Sequence, residues 1–269
     1  MTVLVPGGTG LLGRAVVAGL VGAGHEVRVL SRDPSRVVAS PHVDVRRGDL
    51  RDPDSLTAAV TGIDVVVNCA TDPRSASDVD VAGTANLTSA MQAAGVGHLV
   101  QVSIVGVDRI PIRFYRAKRQ AELVVEQQSV PWTIQRATQF HQFIDRMLDA
   151  SARLPVLPTP RNLRFQPIAV EDVAAVLVQH VANGPAGMAP PVGGPEILTQ
   201  KELATTWLRA HGRRRVLVPV PLPGKVGRAF RDGANLSPDH RSRGVRWQSY
   251  LDAAAAADAG TALASRDAG

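Results

Sequence analysis

The chain has 269 residues, of which 45% are hydrophobic, with a formal charge of +6 and one cysteine. This length and apolar content suit one large α/β unit with an appendage. A disulfide framework within the chain is excluded, because Cys69 has no second cysteine to pair with. No apolar run reaches the roughly 20 residues needed to span a bilayer, and the N-terminus lacks the basic-then-apolar layout of a signal peptide. A cytoplasmic protein without a membrane partner is expected.

Residues 3–5, Val-Leu-Val, form a short buried strand that runs into Gly7-Gly8-Thr9-Gly10-Leu11-Leu12-Gly13 and then an apolar helix over 15–21. A glycine turn in that context is a phosphate cradle. Gly7 can take a positive φ, the missing Cβ at Gly10 admits a pyrophosphate, and Gly13 lets the helix press on the sheet. The N–H groups and positive dipole end of the helix near Gly10 complete the anion site. Gly7, Thr9, Gly10, Leu11, Leu12 and Gly13 are the candidate coenzyme contacts here.

The second strand, 26–30, ends in Ser31-Arg32. An NAD-selective site would carry an acid at its end to bind a ribose 2′-hydroxyl. Ser31 stands there instead, while Arg32 and Arg36 offer guanidinium donors suited to a 2′-phosphate. NADP(H) is therefore preferred, with NAD(H) left open by the neighbouring Asp33.

The chain continues with a strand at 43–46, Gly48-Asp49-Leu50, a helix over 53–60, a strand at 63–69, a helix over 79–94, a strand at 99–103, a helix over 114–128 and a strand at 132–136. Strands alternating with helices at this spacing specify an α/β doubly wound parallel sheet with right-handed crossovers. Ligands in such folds sit beyond the carboxyl ends of the strands. That places Asp49 and Leu50, Cys69, Ala70 and Thr71, Ser103, and Thr138, Gln139, Phe140 and His141 around the predicted site. A dinucleotide-binding domain is expected over 1–150 and a smaller α/β substrate-side region over 151–252, where the proline-rich 154–160 breaks any helix. Helices are expected near 170–181 and 200–211. The tail, 253–269, is rich in alanine, glycine and aspartate and is expected to fray.

The opening glycine turn, Gly48-Asp49-Leu50, Val102-Ser103-Ile104-Val105-Gly106, Tyr115-Arg116-Ala117-Lys118, the 131–140 segment from Pro131 to Phe140 and Val170-Glu171-Asp172-Val173-Ala174 together resemble a known family. They are similar to the atypical short-chain dehydrogenase/reductases of the NmrA-like, NAD(P)-binding Rossmann group, over roughly residues 1–182. The resemblance implies the fold and the dinucleotide. It leaves the reaction open, because the group holds NADPH-dependent reductases of quinones and plant phenolics, tailoring enzymes of secondary metabolism, and members that bind the dinucleotide to sense redox state.

Short-chain reductases carry Tyr-x-x-x-Lys, in which the phenol protonates the substrate oxygen and the lysine holds the nicotinamide ribose. Counting back four from Lys118 reaches Phe114, which has no proton to give. Tyr115 stands about 60° from Lys118 around a helix, so a small rotation or a non-helical first turn would bring its hydroxyl in; the other reading is a packing aromatic. Only three of the thirty basic residues are lysines, so a lysine at position 118 points to a need for a compact ammonium. By the resemblance, Ser103 lies near the serine that polarises the substrate carbonyl, and Asn86 where the superfamily often has an asparagine linked to a relay water. A histidine ordinarily titrates near neutral pH, so His141, after the sixth strand, is a candidate to replace the missing phenol; the other reading is a capping or surface residue. The catalytic candidates are thus Lys118, Tyr115, Ser103 and His141. No metal-ligand spacing and no Gly-x-Ser-x-Gly elbow is present, so no metal is expected.

Nine cations face two aspartates over 213–246, a local excess of +7. It could serve an anionic substrate or a carrier-bound acyl group, or be a solvated face, the commoner case, while the proline interruptions and the lack of a helix-turn-helix or zinc-finger pattern argue against nucleic acid as a partner. The predicted function is an NADPH-dependent oxidoreductase that transfers hydride to a carbonyl, quinone or enone-type small molecule. The alternative is a non-catalytic NADP(H)-binding redox sensor or assembly protein. Nothing in the sequence sets the oligomeric state.

Overall fold

The computed structural model describes the backbone of residues 1–37 and 40–267, and their side chains as far as 257. In chain order the elements are β1 (Thr2–Pro6), α1 (Leu11–Gly22), β2 (Glu26–Ser31), β3 (Val43–Arg47), α2 (Asp54–Val60), β4 (Val65–Asn68), α3 (Gly83–Ala94), β5 (His98–Ile104), α4 (Arg113–Glu126) and β6 (Trp132–Ala137). There follow α5 (His141–Ser151), β7 (Val156–Pro160), β8 (Arg164–Phe165), α6 (Val170–Asn183), β9 (Gly187–Met188), β10 (Leu198–Thr199), α7 (Gln200–Ala210), β11 (Val216–Val220), α8 (Gly224–Arg231) and α9 (Trp247–Asp267). A 3-10 turn covers Pro34–Arg36, and a π-helical turn, Ser77–Ala82, precedes α3.

The chain forms two compact units, Met1–Ala137 with Val170–Pro191, and Thr138–Ala169 with Val192–Gly269. The single boundary expected near 150 is therefore replaced by a chain that leaves the first unit and returns to it. The return has a physical cause. α6 carries a buried apolar stripe of Val170, Val173, Ala174, Leu177 and Val181, which packs in the first unit with α1, and β9 then pairs with β6.

In the first unit a parallel sheet runs in the order β3-β2-β1-β4-β5-β6-β9. Helices cover such a sheet on both faces, which is why its central strands are apolar runs rather than alternating ones. β4, Val-Val-Val-Asn, is buried at every residue. One core beneath the sheet gathers Leu4, Leu56, Leu87, Met91, Leu99 and Ile134. The first six strands follow the order of a dinucleotide-binding fold, which directs their carboxyl ends at one crevice.

The second unit contains α5, α7, α8, α9, the antiparallel pair β8–β10 and the parallel pair β7–β11. Its proline-rich run becomes β7 because the prolines point away from the partner strand. Arg161 donates its N–H to the Val220 carbonyl at 2.9 Å, so on alternation Pro158 and Pro160 face outward, as Pro219 does on β11. Prolines that withhold donors on both free edges keep the ribbon from recruiting further strands. The core of this unit holds Ile144, Leu157, Leu203, Trp207, Trp247 and Leu251. Asp145 ties it together, accepting from Trp207 Nε1 at 2.6 Å and from the Tyr250 hydroxyl at 2.9 Å. Thr199 and Glu202 form a reciprocal capping box that starts α7. The segment expected to fray from 253 continues α9 as helical backbone to Asp267, and 268–269 lie outside the described residues. Among the described residues no helix is long and apolar enough to cross a membrane.

Candidate active site

The glycine turn between β1 and α1 leaves no room for side chains. Gly7 has φ +76°, and a Cβ there would lie 2.7 Å from the backbone nitrogen of Ala70; one on Gly13 would collide with the Gly7 carbonyl oxygen. Gly10 caps α1 without any side-chain acceptor, so the first-turn N–H groups are left for an external one. A cradle that tolerates no Cβ, at the start of a helix without a side-chain cap, fits a dinucleotide diphosphate. Leu12 is buried, while Gly10 is exposed at the surface. The Thr9 carbonyl accepts from Arg14 Nη1 at 2.9 Å, which pins the turn.

At the end of β2, Ser31 is turned to the backbone. Its Oγ accepts from Asp33 N–H at 3.2 Å and donates to the Asp33 carbonyl at 2.8 Å. The Asp33 carboxylate accepts from Ser35 N–H at 3.2 Å and Ser35 Oγ at 2.6 Å, and those bonds hold it below the usual carboxylate range. The acid that complicated the sequence reading is thereby occupied with starting the 3-10 turn. Arg32 and Arg36 are exposed, and neither forms an ion pair among the described residues. Asp49 is held by Arg51, whose Nε reaches both carboxylate oxygens at 3.1 Å. Leu50 is buried in the core of the unit.

Lys118 is buried on α4, its Nζ 3.2 Å from Asp80 Oδ1, with side chains 6% and 1% exposed. Asp80 sits on the π-helical turn, a common site of functional groups inside helices. Its Oδ1 also accepts from Thr71 Oγ1 at 2.8 Å and its Oδ2 from Asp72 N–H at 3.2 Å. Cys69 lies close enough for Lys118 to favour its thiolate, but burial dominates and pushes the thiol up to about 12. One turn beyond Lys118, the fully buried Glu122 accepts from Arg136 Nε at 2.8 Å and Nη2 at 2.7 Å. That two-point pair fastens α4 to β6, and Arg119 adds a third bond to Glu122 at 3.0 Å.

Asp80 is the residue that sequence reasoning missed. Its signal was present: positions 80, 84, 87, 88 and 91 form one buried stripe, and a carboxylate on such a stripe needs a partner. Asn86, noted instead, donates to the Leu50 carbonyl at 2.9 Å.

α4 is helical from Arg113, so Tyr115 and Lys118 stand on regular turns; Tyr115 is buried and Phe114 half-buried, their rings edge-on at 6.5 Å. Ser103, near the carboxyl end of β5, is buried with no hydrogen-bond partner for its Oγ among the described residues. A buried hydroxyl without a partner is uncommon.

Thr138, Gln139, Phe140 and His141 belong to the second unit. Thr138 Oγ1 donates to the Gln166 carbonyl at 2.6 Å, Asn235 Nδ2 reaches Gln139 Oε1 at 3.5 Å, and Phe140 bridges to Ile168 and caps α5. His141 is fully buried, stacked on Tyr250 at 5.0 Å and near Trp247 at 5.8 Å, and burial lowers its pKa to about 4. An imidazole neutral at pH 7 and enclosed by aromatic rings is poorly suited to donate protons. Much of the basic excess over 213–246 is also taken up internally: Arg213 pairs with Asp149 at 3.0 Å, Arg215 donates to the Ala152 and Leu154 carbonyls, Arg231 to Leu222 and Arg241 to Pro238.

A family model described as NAD(P)H-binding matches residues 7–184. A (4-alkanoyl-5-oxo-2,5-dihydrofuran-3-yl)methyl phosphate reductase of Streptomyces griseus is 34% identical over 219 residues, 78% of this chain and 74% of the relative. An NAD(P)H azoreductase of Xenophilus azovorans is 31% identical over 216 residues, with the same coverage, 78% and 74%. In fold, the chain is similar to an NADPH-dependent quinone oxidoreductase of Escherichia coli complexed with NADPH, at a TM-score of 0.79 and 16% identity over 94% of this chain and 99% of that one. With the glycine cradle, the strand order and these matches in hand, the chain belongs to the NAD(P)H-binding family, with a Rossmann-type fold and named reductases among its relatives.

Proposed function

We propose that the protein is an NADPH-dependent reductase of small molecules in which an electron-poor carbon is conjugated to a carbonyl, as in quinones and enones. The observation that carries the reading is the inward face of α4, where a buried phenol and a buried ammonium stand three residues apart. Adenine recognition alone would need neither. When bound, the reduced coenzyme supplies the hydride.

The chain's own groups do the rest. The N–H groups at the start of α1 hold the diphosphate. Arg32 and Arg36, uncommitted to any carboxylate among the described residues, take the 2′-phosphate. Lys118 donates to the nicotinamide ribose and keeps positive charge beside the reacting oxygen. Tyr115 supplies a proton to that oxygen, and Ser103 Oγ, which has no partner among the described residues, donates to it as well. For a quinone or enone, water can also deliver the proton, so Phe114 in place of the usual phenol is no obstacle. The substrate name of one relative agrees with an acceptor of this kind, a dihydrofuran bearing oxo and alkanoyl groups, whereas the other is named for azo compounds, whose acceptor is an N=N bond.

The test is NADPH oxidation by the purified protein against a panel of quinones, enones, azo dyes and simple ketones. Turnover is expected with quinones or enones and much less with ketones. A protein that binds NADPH tightly yet oxidises none across the panel would overturn the reductase and support a redox sensor.

A further inference from the structure

We propose that Asp80 is a positioning residue that fixes the Lys118 ammonium for the coenzyme ribose. The inference rests on the coenzyme reading above and deepens it. One carboxylate joins three segments of the first unit: the loop after β4 through Thr71 Oγ1 and Asp72 N–H, the π-helical turn on which it sits, and α4 through Lys118 Nζ.

A buried ion pair is a poor device for stability alone, since apolar residues of similar volume usually do as well. What the pair provides is a charge at a fixed point. Two bonds from Thr71 and Asp72 orient the Asp80 carboxylate before it meets the lysine. The ammonium has three donors and is ion-paired with Asp80 on one side at 3.2 Å, which leaves at least two of them for hydroxyl groups of a ligand. Arginine, this chain's usual cation, would spread its charge over a planar fork and could not occupy the same point. The arrangement also explains the π turn: an α-helical register through 77–82 would give the carboxylate a different projection.

The experiment compares the wild type with Asp80→Asn, Asp80→Glu, Lys118→Met and the Asp80→Asn/Lys118→Met double variant. NADPH affinity is measured by fluorescence titration on protein shown to be folded by circular dichroism. Asp80→Asn should raise the Kd about tenfold, the loss of a charged hydrogen bond, and Asp80→Glu should recover most of it. On the Lys118→Met background the same change should move the Kd less than about twofold, because a residue acting through Lys118 has nothing left to act on. A folded Asp80→Asn protein with wild-type affinity, or one whose loss is equal with and without Lys118, overturns the proposal. Should Asp80→Asn not fold, Thr71→Val loosens the carboxylate without removing it. A Kd raised about threefold then supports the role, and an unchanged Kd overturns it. Wild-type protein that binds no NADPH would instead defeat the coenzyme reading itself, and an unaffected Lys118→Met would defeat the role of the lysine.

Discussion

Two side chains of the first unit carry expectations that can be measured one residue at a time. Arg32 is exposed with no ion-pair partner among the described residues, while the adjacent carboxylate of Asp33 is bonded to Ser35. Arg32→Ala should therefore weaken NADPH binding by about 10- to 150-fold, the range for a charge-assisted bond, and leave NADH nearly unchanged. Equal losses for both dinucleotides would contradict the 2′-phosphate role. Cys69 is half-buried, and desolvation pushes its thiol up to about 12, so almost no thiolate exists at pH 8. We expect iodoacetamide to label it slowly in the native protein and quickly in urea, and rapid native labelling would contradict this environment.

At the scale of elements, the position of α4 governs the site, and Glu122 governs α4. Its carboxylate is fully buried and shared between Arg136 and Arg119. Glu122→Gln removes the buried carboxylate from Arg136 and leaves its guanidinium only Asp108, at 3.2 Å on the exposed side, so it should cost about 2 kcal/mol in urea unfolding, less than breaking a buried pair that has no second partner. A loss below about 0.5 kcal/mol would place the pair among those that contribute little. The elements themselves were largely legible in the sequence, because glycines at 7, 10 and 13 and the strand–helix alternation each follow from one local rule. The π-helical turn was not. Residues 79–94 satisfy a single helical period, and the π-helical turn at Ser77–Ala82 coincides with the contacts of Asp80 to Thr71 and Lys118, which no local pattern records. The return of α6 and β9 to the first unit was equally hidden, since β9 is only two residues long and its pairing with β6 is a long-range event. His141 looked like a proton donor because its place after β6 was legible, whereas its enclosure by Tyr250 and Trp247, more than a hundred residues away, was not.

For the whole molecule, two enclosed imidazoles make stability depend on pH. Burial lowers His98 and His141 from 6.5 to about 4, so each stays neutral in the folded chain while the unfolded chain takes up a proton. Between those values the unfolded state binds more protons, so stability is complete above about pH 6.5 and falls as the pH drops toward 4, by about 2–3 kcal/mol for each histidine. The urea midpoint should decline over that window, and His141→Phe, which keeps the ring stack, should flatten the decline; a midpoint constant from pH 7 to 4.5 would contradict it. The central claim, that the glycine turn and Lys118 bind a reduced nicotinamide dinucleotide with a preference for the 2′-phosphate, is tested most directly by titrating the purified wild type with NADPH and NADH side by side. NADPH should bind at least about tenfold more tightly than NADH. Affinity for neither dinucleotide would contradict the claim.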